Sequence, residues 1–345
     1  MSENKQMKGS ETMQAVSAQE LLVQSATEQA QKTIEERKKF LEERKSGLGG
    51  TDAGAVCGLS RWKSPMDIYL EKTGVVEDIT PSEAMIWGTI QEEIIARHYA
   101  NVTGRKLRRP TGCFRHKDYP WMIAHLDRII LNENRGLEVK TSSQFMADEW
   151  GESGTDEVPE YYRAQVMHYM AIKGYPSMDL AVLIGGNDFR IYTIERDLTY
   201  IANLVELERD FWQEHVLSRI PPDVDASKAC SNALAKLYDR PEGIEVLATP
   251  EIDEIAQRLR QVKALMKQNE EDKRLLENSI KKFMGNAEKL IGADWHITWK
   301  VGSRRQFDVK AFRAAEPELA EQYTNVTETR TFRPNFSKKE GEKRN

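Results

Sequence analysis

Apolar positions along the chain alternate between helical and strand spacing, and the switches mark out its elements. Residues 18–45 have helical spacing and stop at a glycine cluster, Gly47, Gly49 and Gly50. Thr51 then opens a short helix, and Ser64-Pro65 starts another, with proline in the first turn where its missing N–H costs nothing. A longer helix follows Pro81-Ser82 and runs to about Val102, ending near Gly104. The period then changes. Residues 122–131 and 137–142 read as strands joined by the turn formers 132–136. A helix follows Pro159 and continues to about Lys173, and a second hairpin pairs 180–184 with 189–194 through Gly185-Gly186-Asn187-Asp188. Residues 198–217 are helical until Pro221-Pro222.

This order of helices, strands and helices predicts an α+β core over 18–220. The polar, aperiodic residues 1–17 are expected to be disordered. Residues 221–336 form a mainly helical extension, and 337–345 a charged tail. Within the extension, Thr249 caps a long helix from Pro250 to about Leu290. Its apolar residues Ile252, Ile255, Leu259, Val262, Met266, Leu276, Ile280 and Phe283 follow 3-4 spacing, interrupted by Asn269 and Lys273. Such a seam suits packing against another helix, in this chain or in a partner. A small β-segment, 295–301 with 306–309, is expected to turn through Gly302-Ser303-Arg304-Arg305.

Composition narrows the class without naming it. The chain is 345 residues long, 39% hydrophobic and 30% charged, with net charge −5, so it is not a globally basic nucleic-acid binder. A metal-loaded acidic site needs only local basic patches, however. No apolar run is long enough to cross a bilayer and no secretion signal is evident, so a cytosolic location in a bacterial host is expected. Cys57, Cys113 and Cys230 are too few and too scattered for a disulfide framework, a CxxC zinc site or a four-thiolate iron–sulfur cluster.

The first hairpin carries the chemistry. Glu138 and Lys140 are two apart and share a strand face, while Val139 points to the opposite one. Asp127 lies eleven residues before Glu138, on the expected neighbouring strand. Two carboxylates there could hold one or two divalent cations, with Lys140 orienting the attacking water of a phosphodiester hydrolysis. A solvated hairpin with a surface ion pair is the ordinary alternative, although the apolar flanks disfavour it. Glu92 shares a helix face with Gly88, Ile95 and Tyr99, so it is either a partly buried acid near a cation or a surface glutamate beside Glu93. Gln165 sits four residues from both Tyr161 and Tyr169 and could equally be a core amide.

Five ordered motifs resemble the YqaJ-type viral recombinases, the family of phage lambda exonuclease. They are Arg44 with Gly49-Gly50-Thr51-Asp52-Ala53; Trp87-Gly88 with Glu92; Asp127; Leu137-Glu138-Val139-Lys140; and Gln165-Val166 with Tyr169-Met170. The resemblance spans about Phe40 to Leu217. It implies a restriction-endonuclease-like PD-(D/E)xK core with a central mixed sheet flanked by helices, and 5′→3′ digestion of linear duplex DNA with Mg²⁺, for which Mn²⁺ could substitute. The 3′ single strands would go to a phage annealing protein, and the subunits would form a homo-oligomeric ring. By the same resemblance Asp127, Glu138 and the Val139 carbonyl are metal ligands, Glu92 sits beside the ions, and Lys140 positions the nucleophile. Arg44, Thr51 and Gln165 match positions that hold the terminal 5′-phosphate. His125 departs from the pattern, standing where a small hydroxyl is usual, and is either a DNA contact or a core histidine. Arg105, Arg108 and Arg109 are the best local basic patch for DNA, followed by Arg304-Arg305. A RecB-like or Cas4-like nuclease, and a non-catalytic scaffold for an annealing protein, are the competing readings.

Overall fold

The computed structural model describes residues 38–76, 82–240, 243–326 and 330–336. The expected disorder over 1–17, most of the first helix and the charged tail lie outside the described residues. Residues up to Tyr238 form one compact unit, and those from Asp239 a second.

In the first unit, residues 38–45 are helical (α1) and lead into a two-residue strand β1 (Leu48–Gly49) and helix α2 (Gly50–Val56). Helix α3 (Pro65–Thr73) is capped by Ser64, whose hydroxyl accepts from Asp67 N while the Asp67 carboxylate accepts from Ser64 N. Helix α4 (Glu83–Thr103) is capped by Ser82 and ends on left-handed Gly104, as the sequence predicts. Then come β2 (Leu107–Arg108), β3 (Phe114–Arg115), β4 (Met122–Ala124), β5 (Arg128–Ile130), β6 (Arg135–Ser142), α5 (Glu160–Lys173), β7 (Ser177–Ile184), β8 (Asp188–Glu195), α6 (Leu198–Asp210) and α7 (Lys228–Leu237). A π-helical turn, Phe211–Leu217, extends α6.

The central sheet has the order β2-β5-β6-β7-β8. It is mixed because α5 is a crossover: β6 and β7 run parallel, and the other pairs are antiparallel. Helix α4 covers one face, with Ile95, Ala96 and Tyr99 packed on Ile130, Leu137, Val139 and Ala181. Helix α5 covers the other, with Met167 and Met170 among Met178, Leu180 and Val182. The alternation along β6 therefore holds: Leu137 and Val139 face α4, while Glu138 and Lys140 face the α5 side. A smaller sheet, β1-β4-β3, flanks this core.

One expected strand, 122–131, is in fact two. Segment β4 pairs with β1 and β3, whereas β5 pairs with β2 and β6, and the chain changes sheets at His125-Leu126-Asp127. Both halves are buried, so the apolar run continues across the break. Asp127 is thereby released from the ladder, and its Oδ2 accepts the Val139 N–H at 2.8 Å.

His168 on α5 is fully buried between two acceptors. Its Nδ1 is 2.8 Å from Glu208 Oε1 and its Nε2 3.0 Å from the Ile123 carbonyl, which ties α6 to β4. Burial alone would lower the imidazole, but Glu208 and the Ile123 carbonyl outweigh it and hold the group above 6.5. A raised histidine stabilises the fold fully below its unfolded value, and that contribution is lost as pH rises through the folded one. The melting temperature is therefore expected to fall as pH climbs from neutrality, and more steeply in the native chain than in His168→Gln. Superimposable melting-temperature profiles for the two would contradict this.

The first unit reaches past the expected boundary at residue 220. Cys230 and Ala233 of α7 pack against Met66, Ile68 and Leu70 of α3 and against Phe211 and Trp212, so the connector belongs to this core.

The second unit begins with α8 (Pro250–Met284), capped by Thr249. Gly285, at φ 56°, stops it before the expected end at residue 290. Residues β9 (Lys289–Ile291) are freed to pair with β10 (His296–Thr298), and Gly292 N donates to Trp295 O to close the turn. The expected hairpin of 295–301 with 306–309 does not form. Residues 299–308 are irregular, and Asp308 instead caps α9 (Val309–Ala315), followed by α10 (Pro317–Gln322). Among the described residues no helix is long and apolar enough to cross a membrane.

Candidate active site

Most of the groups singled out in the sequence gather around one cleft of about 640 Å³ in the first unit, which Arg44, Thr51, Glu92, Arg109, His125, Asp127, Glu138, Lys140 and Gln165 all line, while Arg105 and Arg108 do not. Asp127 comes from the sheet-switching break, Glu138 and Lys140 from β6, Glu92 from α4, Gln165 from α5 and Thr51 from α2.

At its floor is a crowded acidic pair. Glu138 is 3% exposed, and its Oε1 accepts from Lys140 Nζ at 2.6 Å and from Gln165 Nε2 at 2.6 Å. Its Oε2 is buried with no hydrogen-bond partner, the single such side-chain atom among the described residues. An unpartnered buried carboxylate oxygen is costly unless something else neutralises it. Burial and the nearby Glu138 hold the Asp127 carboxyl well above the usual carboxylate range, and Lys140 only partly offsets them. Burial would lower the Lys140 ammonium, but Glu138, Tyr162 and Asp127 together raise it, and Nζ sits 4.9 Å from the Tyr162 ring centre. The cation is thus held charged next to the acids.

Glu92 is tied to the sheet rather than left free. Arg128, 3% exposed, donates to Glu92 Oε1 at 2.6 Å, to Glu93 Oε2 at 2.7 Å and to the Asp127 carbonyl at 2.6 Å. It anchors α4 to β5 beside the acids, a role that its sequence neighbours do not announce. Arg109 is mostly exposed at the cleft wall, 3.6 Å from Glu92.

The second cluster surrounds α2. Arg44 donates to Asp52 Oδ1 at 3.1 Å and lies 3.4 Å from Thr51 Oγ1. Asp52 is buried, and it also pairs with the buried Lys72 at 2.6 Å and accepts from Gly49 N at 2.9 Å. Burial alone would raise its carboxyl, but Lys72 and Arg44 overcome that and hold it far below the usual carboxylate range. The sequence offered Asp52 only as part of the Gly49–Ala53 motif, with no role, and Lys72 not at all. An acid at the third helix position after glycine looks like routine capping, and its lysine partner is twenty residues away. Gly50 lets α2 lie against α5: a Cβ there would fall 2.4 Å from the Tyr169 ring. That close approach brings Gln165 and Tyr169, whose hydroxyl is 3.0 Å from Gln165 Nε2, to the acids.

The remaining residues expected to bind phosphate or DNA are placed differently from one another. Gln165 directs its amide to Glu138 and Tyr169, so in this structure it holds the acid in place. Arg105 is absorbed by a buried network: it donates to Asp179 Oδ2 at 2.5 Å and to Tyr99 OH at 2.7 Å, and pairs with Glu133 at 3.0 Å. Asp179, fully buried on β7, also accepts from Arg135 and Thr193, and it commits Arg105 to the fold rather than to a DNA surface. Arg108 is exposed beside Lys173, whose ammonium is lowered by burial and by the Arg108 charge. His125 is half-buried and lines the cleft. Its Nε2 is 3.3 Å from Glu43 Oε2 and its ring is edge-on to Phe40. Burial lowers the imidazole, and Glu43 only partly opposes it. Cys113 completes a group whose potential ligand atoms lie within 4.8 Å of one another, but its thiol is raised by burial and donates to the Phe114 carbonyl at 3.4 Å. That cluster is explained by its own hydrogen bonds.

A buried glutamate facing a half-buried aspartate, with a lysine beside them on the central strand of a mixed sheet, is the kind of site that binds cations and handles phosphates. The chain belongs to the YqaJ-like viral recombinase family. The family's domain profile matches residues 39–176. Over 290 residues, 83% of this chain and 90% of the relative, it is 34% identical to the uncharacterized protein YqaJ of Bacillus subtilis (strain 168). Among solved structures it is similar to an alkaline exonuclease from Laribacter hongkongensis, with TM-score 0.42 and 15% identity over 53% of this chain and 93% of that one. It is also similar to a phage-related exonuclease from Haemophilus somnus 129PT, with TM-score 0.37 and 12% identity over 50% of this chain and 96% of the other.

Proposed function

We propose that this chain is a Mg²⁺-dependent exonuclease that digests linear double-stranded DNA 5′→3′ and leaves 3′ single strands for a phage-type annealing protein. The observation that carries the reading is the acid pair: burial and Glu138 raise the Asp127 carboxyl above the usual carboxylate range, and Glu138 Oε2 is buried with no protein partner. Carboxylates that repel each other at the floor of a cleft, with one oxygen unmet, fit a divalent cation. Asp127, Glu138 and the Val139 carbonyl would hold it, with Glu92 alongside. That arrangement, Asp127 before β5 and Glu138-Val139-Lys140 on the neighbouring β6, supports the PD-(D/E)xK reading of the core.

A bound Mg²⁺ supplies Lewis acidity that lowers the pKa of the attacking water and offsets charge on the phosphate. Lys140 keeps its charge beside Glu138 and can orient that water and balance the phosphorane. Gln165 and Tyr169 fix the Glu138 carboxylate. Arg44 and Thr51, steered by Asp52, offer a guanidinium and a hydroxyl to the terminal 5′-phosphate, and Arg109 on the cleft wall can take a backbone phosphate.

The test is a 5′-phosphorylated linear duplex labelled separately at each end. Release of 5′ label in Mg²⁺ with the 3′-ended strand intact is expected, and blocking the 5′ ends should protect the duplex. Release from 3′ ends first would overturn the direction. Wild type and Lys140→Ala equally inert in Mg²⁺ and Mn²⁺ would favour the scaffold reading. Arg44→Ala is expected to weaken use of 5′-phosphorylated ends about tenfold, mostly in KM, while changing 5′-hydroxyl ends little. Equal losses on both substrates would remove Arg44 from phosphate recognition.

A further inference from the structure

Helix α8 carries a repeat that the nuclease reading leaves unused. Ile252, Leu259, Met266, Lys273 and Ile280 recur every seven residues, and Ile255, Val262, Asn269, Leu276 and Phe283 recur in the same register three residues later. This is an a/d pattern over most of the helix, interrupted only by the polar Asn269 and Lys273. Ile252, Ile255, Val262, Met266, Leu276 and Phe283 are each more than half exposed, and Met284 is the one residue of the helix that is buried. Water is a poor partner for a stripe of that length.

We propose that α8 pairs with α8 of a second copy of this chain as an antiparallel coiled coil. The charges choose both partner and direction. In a parallel pair each a residue meets itself, so Lys273 would face Lys273 in the seam. The flanking g and e positions would then set Arg258 against Lys263 and Asp272 against Glu277, with like charges in both cases. Reversing one helix removes every one of these clashes. The layers become Ile252 with Phe283, Ile255 with Ile280, Leu259 with Leu276, Val262 with Lys273 and Met266 with Asn269. The two Lys273 residues separate by about 16 Å along the axis. Flanking e positions now face each other, which sets Lys263 of each copy against Glu270 of the other. Lys273 lies within 3.8 Å of Glu270 and 4.0 Å of Glu277 on its own helix, so its ammonium can leave the seam for the flank. Asn269 beside Met266 leaves a polar group at the midpoint, a device that fixes register at some cost in stability. An antiparallel seam built this way is complementary to itself and needs no other protein.

The proposal is independent of the nuclease reading and is tested on the intact chain by sedimentation equilibrium. Leu276→Glu is expected to weaken self-association on the order of 100-fold by burying two unpaired carboxylates per dimer, while nuclease activity and the melting of the first unit stay unchanged. Lys263→Glu and Glu270→Lys should each weaken it about fivefold, and the double variant should restore it. If Leu276→Glu and the native chain associate identically, a second copy does not occupy this face. If Lys263→Glu strengthens association, the helices run parallel and the proposal fails in its direction.

Discussion

Lys140→Ala is expected to lower kcat for Mg²⁺-dependent duplex digestion on the order of 10³-fold, with KM for the duplex little changed. The asymmetry follows from where the ammonium sits. It is 2.6 Å from Glu138 Oε1 and over the Tyr162 ring at the floor of the cleft, so in the proposed reaction it would meet the reacting phosphate rather than the length of bound DNA. The substitution leaves the β6 ladder and the Val139 packing intact, so circular dichroism should match the native chain. Lys140→Arg should not restore the rate, because a larger planar guanidinium cannot put a donor where the compact ammonium sits against Glu138. Native kcat in Lys140→Ala would show that the lysine only neutralises the acids.

Asp52→Asn should have the largest effect on stability, about 3–5 kcal/mol of unfolding free energy. Asp52 and Lys72 are both almost completely buried, and an amide in place of the carboxylate leaves the Lys72 ammonium enclosed with no counter-charge. Because the folded carboxyl is depressed, its contribution is present above the unfolded value of 3.8 and is lost as pH falls toward the folded one. The destabilisation should therefore be full at neutral pH and shrink in acid. Adding Lys72→Met removes the stranded charge and should recover most of the stability. Arg44 would still lack its anchor, so the preference for 5′-phosphorylated ends should stay reduced in the double variant. Full recovery of that preference would show that Asp52 does not position Arg44.

What was legible in the sequence was mostly local. Serine and threonine caps before α3, α4 and α8, and the two-residue alternation that puts Glu138 and Lys140 on one face, follow from the backbone a few residues either side. What was not legible depended on partners far along the chain. The apolar run from Met122 to Ile130 hid a change of sheet because both halves are buried. Arg105 looked like part of a basic patch, yet the lone Asp179 in an otherwise apolar strand had to find cations and took it. That aspartate was the available signal. Gln165 could be placed on an aromatic face but not against Glu138, since only the crossover packing of α5 brings them together. The β9–β10 hairpin slipped from its expected place because Gly285, at a positive φ of 56°, ended α8 early.

The central claim is that the acid pair is a cation site, and manganese anomalous diffraction from crystals grown with Mn²⁺ tests it most directly. The account predicts a peak bonded to Asp127 and to the Glu138 Oε2 that has no protein partner, and its disappearance in Asp127→Asn. A peak elsewhere in the cleft, or none with Glu138 Oε2 still unmet, would contradict it.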